Sequence, residues 1–143
     1  MLYSPTERRL SASHRARERD RFILSMAEGS AAERFARAMQ HKMNGEYDEA
    51  EGLFQSVLTE QPQNADVYHE LGLTYSYRVF MDESIAALEK AVSLVPDSTR
   101  YLIDLGKTHA MYGDYDKAKP VFLKVLDIDP FNDDALKNLK FLG

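Results

Sequence analysis

The sequence predicts an all-α fold, a solenoid of antiparallel helix pairs, because one short pattern recurs along the chain. Residues 44–54 read NGEYDEAEGLF and residues 112–122 read YGDYDKAKPVF, so a glycine, a tyrosine, an alanine and a phenylalanine recur 68 positions apart. Half of that distance separates the prolines Pro62, Pro96 and Pro130, which are 34 residues apart. Periods of 20 to 50 residues are typical of stacked supersecondary units. A weaker copy is therefore expected midway, and residues 78–88 (RVFMDESIAAL) provide it.

Each unit is expected to be a pair of helices, because apolar residues recur at helical spacing without sustained alternation of period two. Residue types that cap helices precede the expected first helices: Ser30, Asn64, Ser98 and Asn132. Aspartates are expected to precede the second helices in the same way: Asp48, Asp82 and Asp116. Gly45 and Gly113 suit a tight turn between the two helices because glycine tolerates positive φ. Val79 occupies the equivalent position in the second unit, which predicts a different turn there.

The period divides the chain into segments. Repeats are expected at 31–64, 65–98 and 99–132, followed by a capping helix at 133–143. Residues 1–30 form a basic N-terminal arm, in which an extra helix is expected from about Ser13 to Ala27, covering the first repeat.

Residues 68–75 (YHELGLTY) match the pattern W-x2-L-G-x2-Y, with Tyr68 in place of the tryptophan, and the A-x3-F and proline positions follow at their proper distances. Over residues 31–143 the chain thus resembles the tetratricopeptide repeat family, which implies a right-handed α-solenoid. The resemblance further implies a concave groove lined by first-helix positions of each repeat. Carried over, these positions give the candidate peptide-binding residues: Phe35, Met39, Met43, His69, Leu73, Tyr77, Arg100, Ile103, Lys107 and Met111.

One familiar activity of that family is not expected. Its co-chaperones hold the C-terminal carboxylate of heat-shock chaperones with basic and amide residues at five groove positions. The equivalent residues of this chain are Phe35, Met39, Glu70, Arg100 and Asp104. Only Arg100 suits a carboxylate, and Glu70 and Asp104 would repel it.

The net charge of −5 is unevenly distributed along the chain. Residues 1–30 carry six arginines against four acidic residues, whereas residues 31–143 carry twelve basic against nineteen acidic residues. The arm has three interpretations: a solvated tail with a helix over the first repeat, a segment that docks on an acidic partner, or a segment that docks on another copy. Nucleic-acid binding is not expected, because only the arm is basic and no aromatic residues alternate with its arginines.

The sequence indicates no enzyme, metal site or cofactor. His41 and His109 lie two repeats apart and no HExxH motif is present, so no pair of histidines is placed to share a metal. The acidic run DIDPFNDD at 127–134 lacks the glycine and the final glutamate of a calcium loop. There is no glycine-rich phosphate loop and no cysteine.

We therefore expect a cytoplasmic adaptor or scaffold that binds a helical or extended peptide segment of a protein partner in the concave groove. Two alternatives stay open: a chaperone for a secreted client, and a scaffold that assembles with itself through the arm. Membrane insertion is not expected, because no stretch of about 18 apolar residues is present.

Overall fold

The structure, a computed structural model, describes the backbone of residues 5–143 and the side chains of residues 12–22 and 24–143. Within these residues it contains eight α-helices and no strand. The first four residues of the predicted arm lie outside this range. The helices are α1 (Pro5–Ala27), α2 (Ala31–Met43), α3 (Tyr47–Glu60), α4 (Ala65–Tyr77), α5 (Met81–Leu94), α6 (Thr99–Met111), α7 (Tyr115–Ile128) and α8 (Asp133–Leu142).

The first helices of the pairs, α2, α4 and α6, begin at the caps predicted from the sequence, and so does α8. In each case the cap side chain accepts a hydrogen bond from the backbone N–H three residues later, which satisfies one of the free amides at the helix start. The four caps are Ser30, Asn64, Ser98 and Asn132.

The predicted caps of the second helices are wrong. Asp48, Asp82 and Asp116 lie one residue inside α3, α5 and α7, whose caps are Glu46, Phe80 and Asp114. Only Asp114 accepts a capping hydrogen bond, from the N–H of Lys117 at 3.2 Å. The reason is the turn geometry: a single left-handed residue reverses the chain so tightly that the next helix begins two residues after it.

The prediction of a different turn in the second repeat is also wrong. Val79 has φ +62°, in the same left-handed region as Gly45 at +77° and Gly113 at +87°. The hydrogen bond that closes the turn is retained, since the N–H of Phe80 donates to the carbonyl of Tyr75 at 2.9 Å, as Asp114 does to His109. The hydrogen bonds of the turn therefore outweigh the strain of placing a β-branched residue there.

Small residues allow the paired helices to approach closely. Ala50 and Ala118 are fully buried, and a side chain at Gly106 would lie 2.7 Å from the ring of Phe122. Phe54 and Phe122 are the largest fully buried side chains, and each fills the space between the helices of its pair. The core is thus a row of local clusters joined between neighbouring pairs, as expected for a solenoid.

Helix α1 begins at Pro5, earlier than the expected Ser13, and its C-terminal end contacts the first repeat. Arg37 donates to the carbonyl oxygens of Ser25 at 2.7 Å and Glu28 at 3.0 Å. Met26 packs against the first core cluster. The arginines nearer the N-terminus are exposed: Arg15, Arg17, Arg19 and Arg21. No helix in the described part of the chain has the length and apolar character needed to cross a bilayer.

Candidate peptide-binding groove

An exposed apolar side chain lies at the end of the first helix in every repeat. Met43, Tyr77 and Met111 are spaced by 34 residues and are 75%, 55% and 64% exposed. Each is the last residue of its helix, α2, α4 or α6. Their regular spacing follows from the stacking of identical helix pairs, so one chain segment could contact all three.

The other candidate residues differ in accessibility. Phe35, Met39, Leu73 and Lys107 are half-buried, and Arg100 is exposed. Phe35 and Met39 pack against the first core cluster, with the ring of Phe35 against Phe54 at 5.7 Å. His69 and Ile103 are buried, with 2% and 9% of their surface exposed. These two therefore contribute to the packing between helices more than to an accessible surface.

Polar side chains of the first helices pair with one another across neighbouring repeats. The Lys42 ammonium group contacts Glu70, and Nε2 of His69 lies 2.6 Å from Oδ2 of Asp104. Two further pairs extend the series: Arg100 with Asp66 at 2.6 Å, and Lys107 with Asp134 at 3.7 Å. Every pair joins a first helix to the next one along the solenoid.

In the central pairs of this series, attraction between opposite charges outweighs the effect of burial on the pKa values of Glu70 and His69. Burial alone would raise the pKa of Glu70, but His69 and Lys42 outweigh it and lower the pKa to about 2. Burial alone would likewise lower the pKa of His69, but Asp104 and Glu70 outweigh it and raise that pKa above its ordinary value. The ring of His69 also stacks on Tyr101 at 4.8 Å. We conclude that His69 is a structural residue that links the second and third repeats, in surroundings that favour its protonated form.

These pairs leave no unpaired basic side chain at the positions that bind a carboxylate in the family, all of which lie in the described part of the chain. Glu70 and Asp104 are committed to Lys42 and His69, and the guanidinium of Arg100 is held by Asp66. Within the described residues no group of three metal-binding side chains is close enough to hold an ion. His109 is buried, and burial lowers its pKa.

A cavity of about 410 Å³ lies at the C-terminal end of the groove, between α6, α7 and α8. Met111 and Phe141 line it, and Phe141 is 79% exposed. Tyr115 and Asn138 complete the wall beside Lys107. The size suits one large apolar side chain of a bound segment.

The sequence did not suggest the pairing between repeats or the part played by Tyr115. Complementary charges at separations near one repeat were the available signal, since Lys42 and Glu70 are 28 residues apart and His69 and Asp104 are 35 apart. Tyr115 could have been found from its repetition of Tyr47 at the start of the second helix.

Three stacked helix pairs of 34 residues, with a candidate groove lined by the first helix of each pair, define an α-solenoid. The model of the tetratricopeptide repeat matches residues 99–132, the third of the three pairs. The chain therefore contains a tetratricopeptide repeat at residues 99–132, and its eight helices are consistent with three such repeats followed by a C-terminal helix.

Several solved structures have the same fold, and two of them are tetratricopeptide repeat domains. The first such domain of Spaghetti (RPAP3), bound to an HSP90 peptide, superposes with a TM-score of 0.73 at 20% identity, covering 78% of this chain and 89% of that one. The Arabidopsis OM64 domain gives 0.72 at 14% identity, covering 78% and 93%. The MamA protein gives 0.72 at 21% identity, covering 78% and 61%.

A curated relative, the BBSome complex member BBS4 of Mus musculus, is 26% identical over 98 residues. The match covers 68% of this chain and 19% of that protein, so the chain spans about a fifth of the relative's length. Fold and family together support a role in protein–protein interaction.

Proposed function

We propose that the protein is a non-catalytic adaptor that binds a helical or extended segment of a protein partner in its concave groove. The observation that carries this proposal is the row of exposed apolar side chains at one position of each repeat, Met43, Tyr77 and Met111. An apolar segment covering them would remove a continuous apolar surface from water, which is the main source of affinity in such grooves. Methionine suits this role because its flexible side chain adapts to different partners.

The charges of the groove favour an apolar mode of recognition. Since Lys42, His69 and Lys107 each pair with a carboxylate of the next repeat, a partner gains little by presenting a free carboxylate there. The partner would instead insert large apolar side chains, one of them into the cavity beside Phe141. This differs from the binding of an acidic peptide end.

The relatives support the general role. One solved neighbour holds an HSP90 peptide, and the curated relative is a member of a multiprotein complex. We also propose that the protein is located in the cytoplasm. A chaperone for a secreted client would use the same apolar groove, whereas a scaffold that assembles with itself would place its basic arm on the acidic face of another copy. Identification of the partner decides among these.

Affinity capture from the native host, followed by mass spectrometry, should identify the partner, and groove variants then test where it binds. We expect the triple variant Met43→Glu, Tyr77→Glu and Met111→Glu to lose the partner, because charges replace exposed apolar anchors. The matched control places glutamate at exposed apolar positions away from the first helices: Val95, Leu123 and Ile128. Equal capture by both triple variants would contradict the proposal.

A further inference from the structure

The turn between α4 and α5 departs from its two counterparts in a way that local stability does not explain. Its left-handed residue is Val79, where the other turns have Gly45 and Gly113. A left-handed conformation costs a residue with a side chain about 1–2 kcal/mol, and glycine avoids that cost. The following residue, Phe80, is the helix cap and has no side-chain acceptor, whereas its counterparts Glu46 and Asp114 carry carboxylates, of which that of Asp114 makes a capping hydrogen bond.

Neither substitution contributes to the core. Val79 is 72% exposed and Phe80 is 42% exposed. The ring of Phe80 is covered on one face by the guanidinium of Arg78, which lies 4.4 Å from its centroid. The chain thus exposes most of the Val79 side chain and part of the Phe80 ring at the tip of a strained turn. Strain of this kind is concentrated at functional sites, where it is part of a binding or switching surface.

This tip continues into the neighbouring turns. We call residues 44–49, 78–83 and 112–117 the turn edge. Arg78 joins the first two turns, since its guanidinium contacts Asp48 at 2.7 Å. In the third turn Tyr112 is 53% exposed, and the Asp82 carboxylate raises the pKa of its hydroxyl. Arg78 thus links the first two turns, and each of the three turns carries an aromatic side chain.

The turn edge is strongly acidic. It contains seven acidic residues and two basic ones, and both basic residues are already paired. Arg78 contacts Asp48 and Glu51, and Lys117 lies 3.5 Å from Asp114. The acidic residues are Glu46, Asp48, Glu49, Asp82, Glu83, Asp114 and Asp116. A surface of aromatic and acidic side chains is complementary to lysine and arginine, whose cations are attracted to both.

We propose that the turn edge is a second binding surface, beside the concave groove and meeting it at Tyr115, for a basic segment of a partner protein that carries apolar side chains. Val79 and Phe80 form its apolar anchor, and the surrounding carboxylates attract the basic residues of the segment. This proposal does not depend on what occupies the groove. A protein with both surfaces would hold two segments at once.

Two synthetic peptides test the proposal on the full chain. The first is an 18-residue amphipathic helix of lysine and leucine, and the second carries glutamate at every lysine position. Fluorescence anisotropy should show that the lysine peptide binds and that its affinity falls as salt rises, because the carboxylates are exposed and screened. Binding of the glutamate peptide with equal affinity would overturn the proposal.

The decisive variant is the double change Val79→Gly and Phe80→Ser, which gives the turn a glycine and a neutral cap without altering charge. We expect the lysine peptide to bind this variant at least about tenfold more weakly, because the apolar anchor is gone. Its melting temperature should not fall, so weaker binding cannot be ascribed to unfolding. The triple groove variant described above should bind the lysine peptide as the wild type does.

Three outcomes would overturn the proposal. The first is unchanged affinity of the double variant, and the second is loss of the lysine peptide from the groove variant alone. The third is a concentration-dependent dimer of the protein, seen by sedimentation, that the double variant abolishes. That result would mean that the turn edge binds a second copy of this chain.

Discussion

His69 and Asp104 join the first helices of the second and third repeats through a contact of 2.6 Å between Nε2 and Oδ2. The histidine side chain is 2% exposed and that of Asp104 is 25% exposed, so the imidazole ring is shielded from solvent and salt. On the other side, Nδ1 lies 3.6 Å from Glu70, which is too long for a hydrogen bond but close enough for attraction between charges. The pair links the stability of the groove to pH.

The first prediction concerns this link at neutral pH. The folded-state pKa of His69 is raised, so the protonated ring stabilises the fold fully below its ordinary pKa of 6.5, and this contribution is lost as pH rises through the folded value. Urea unfolding of wild type and His69→Gln should therefore differ most below about pH 6.5 and less at pH 8 to 9. His109 is present in both proteins, so its effect, which has the opposite sign, cancels when the two free energies of unfolding are subtracted. A difference that grows with pH would contradict the assignment.

The second prediction concerns acid. The pKa of Glu70 is lowered to about 2, so its contribution is present above the ordinary value of 4.5 and is lost as pH falls between the two. Replacing Lys42 by glutamine removes one cause of the lowered pKa. We expect Lys42→Gln to unfold at a higher pH than wild type on acid titration followed by circular dichroism. The same substitution at exposed Lys140, which lies outside this cluster, is the control.

The third prediction tests the strain at the turn. Val79→Gly should raise the free energy of unfolding by about 0.5–1 kcal/mol, because relief of the left-handed strain exceeds the entropy that glycine loses on folding. The reverse change, Gly45→Val, should lower it by about 1–2 kcal/mol. No atom lies within 4 Å of a side chain built at Gly45, so any loss there comes from the backbone. Chemical denaturation of both variants measures the two changes in the free energy of unfolding. A Val79→Gly variant that is less stable than wild type would refute this account of the turn.

The fourth prediction tests the close approach of paired helices. Ala50→Leu should destabilise the protein by about 1–3 kcal/mol through overpacking, because Ala50 is fully buried between α2 and α3. Ala36→Leu changes an exposed alanine on α2 and should leave the melting temperature nearly unchanged. Similar melting temperatures for the two variants would count against the packing described.

Much of the fold was predictable, because the 34-residue period and the caps of the first helices are local signals. The second-helix caps were not, since they depend on where the left-handed turn residue falls. The conformation of Val79 is decided by hydrogen bonds that outweigh its own preference. Arg34 stands where the repeat pattern has an aromatic residue, and its partners Glu60 and Ser56 lie more than twenty residues away.

The candidate groove was predictable only in part. The exposed row of Met43, Tyr77 and Met111 follows from periodicity. The burial of His69 does not, because it depends on Asp104 and Tyr101 in the next repeat. Side-chain pairing between repeats arises from stacking, which the sequence pattern of a single repeat does not specify.

The methionine methyl groups provide the most direct test of the proposed groove. In protein labelled with ¹³C at these methyl groups, Met39, Met43 and Met111 report on the groove, and Met26, at the C-terminal end of α1, serves as the internal control. Addition of the captured partner segment should shift the NMR signals of the three groove methionines and leave that of Met26 unchanged. A partner that binds while the signals of Met39, Met43 and Met111 stay in place would contradict the proposal that the concave groove is the binding site.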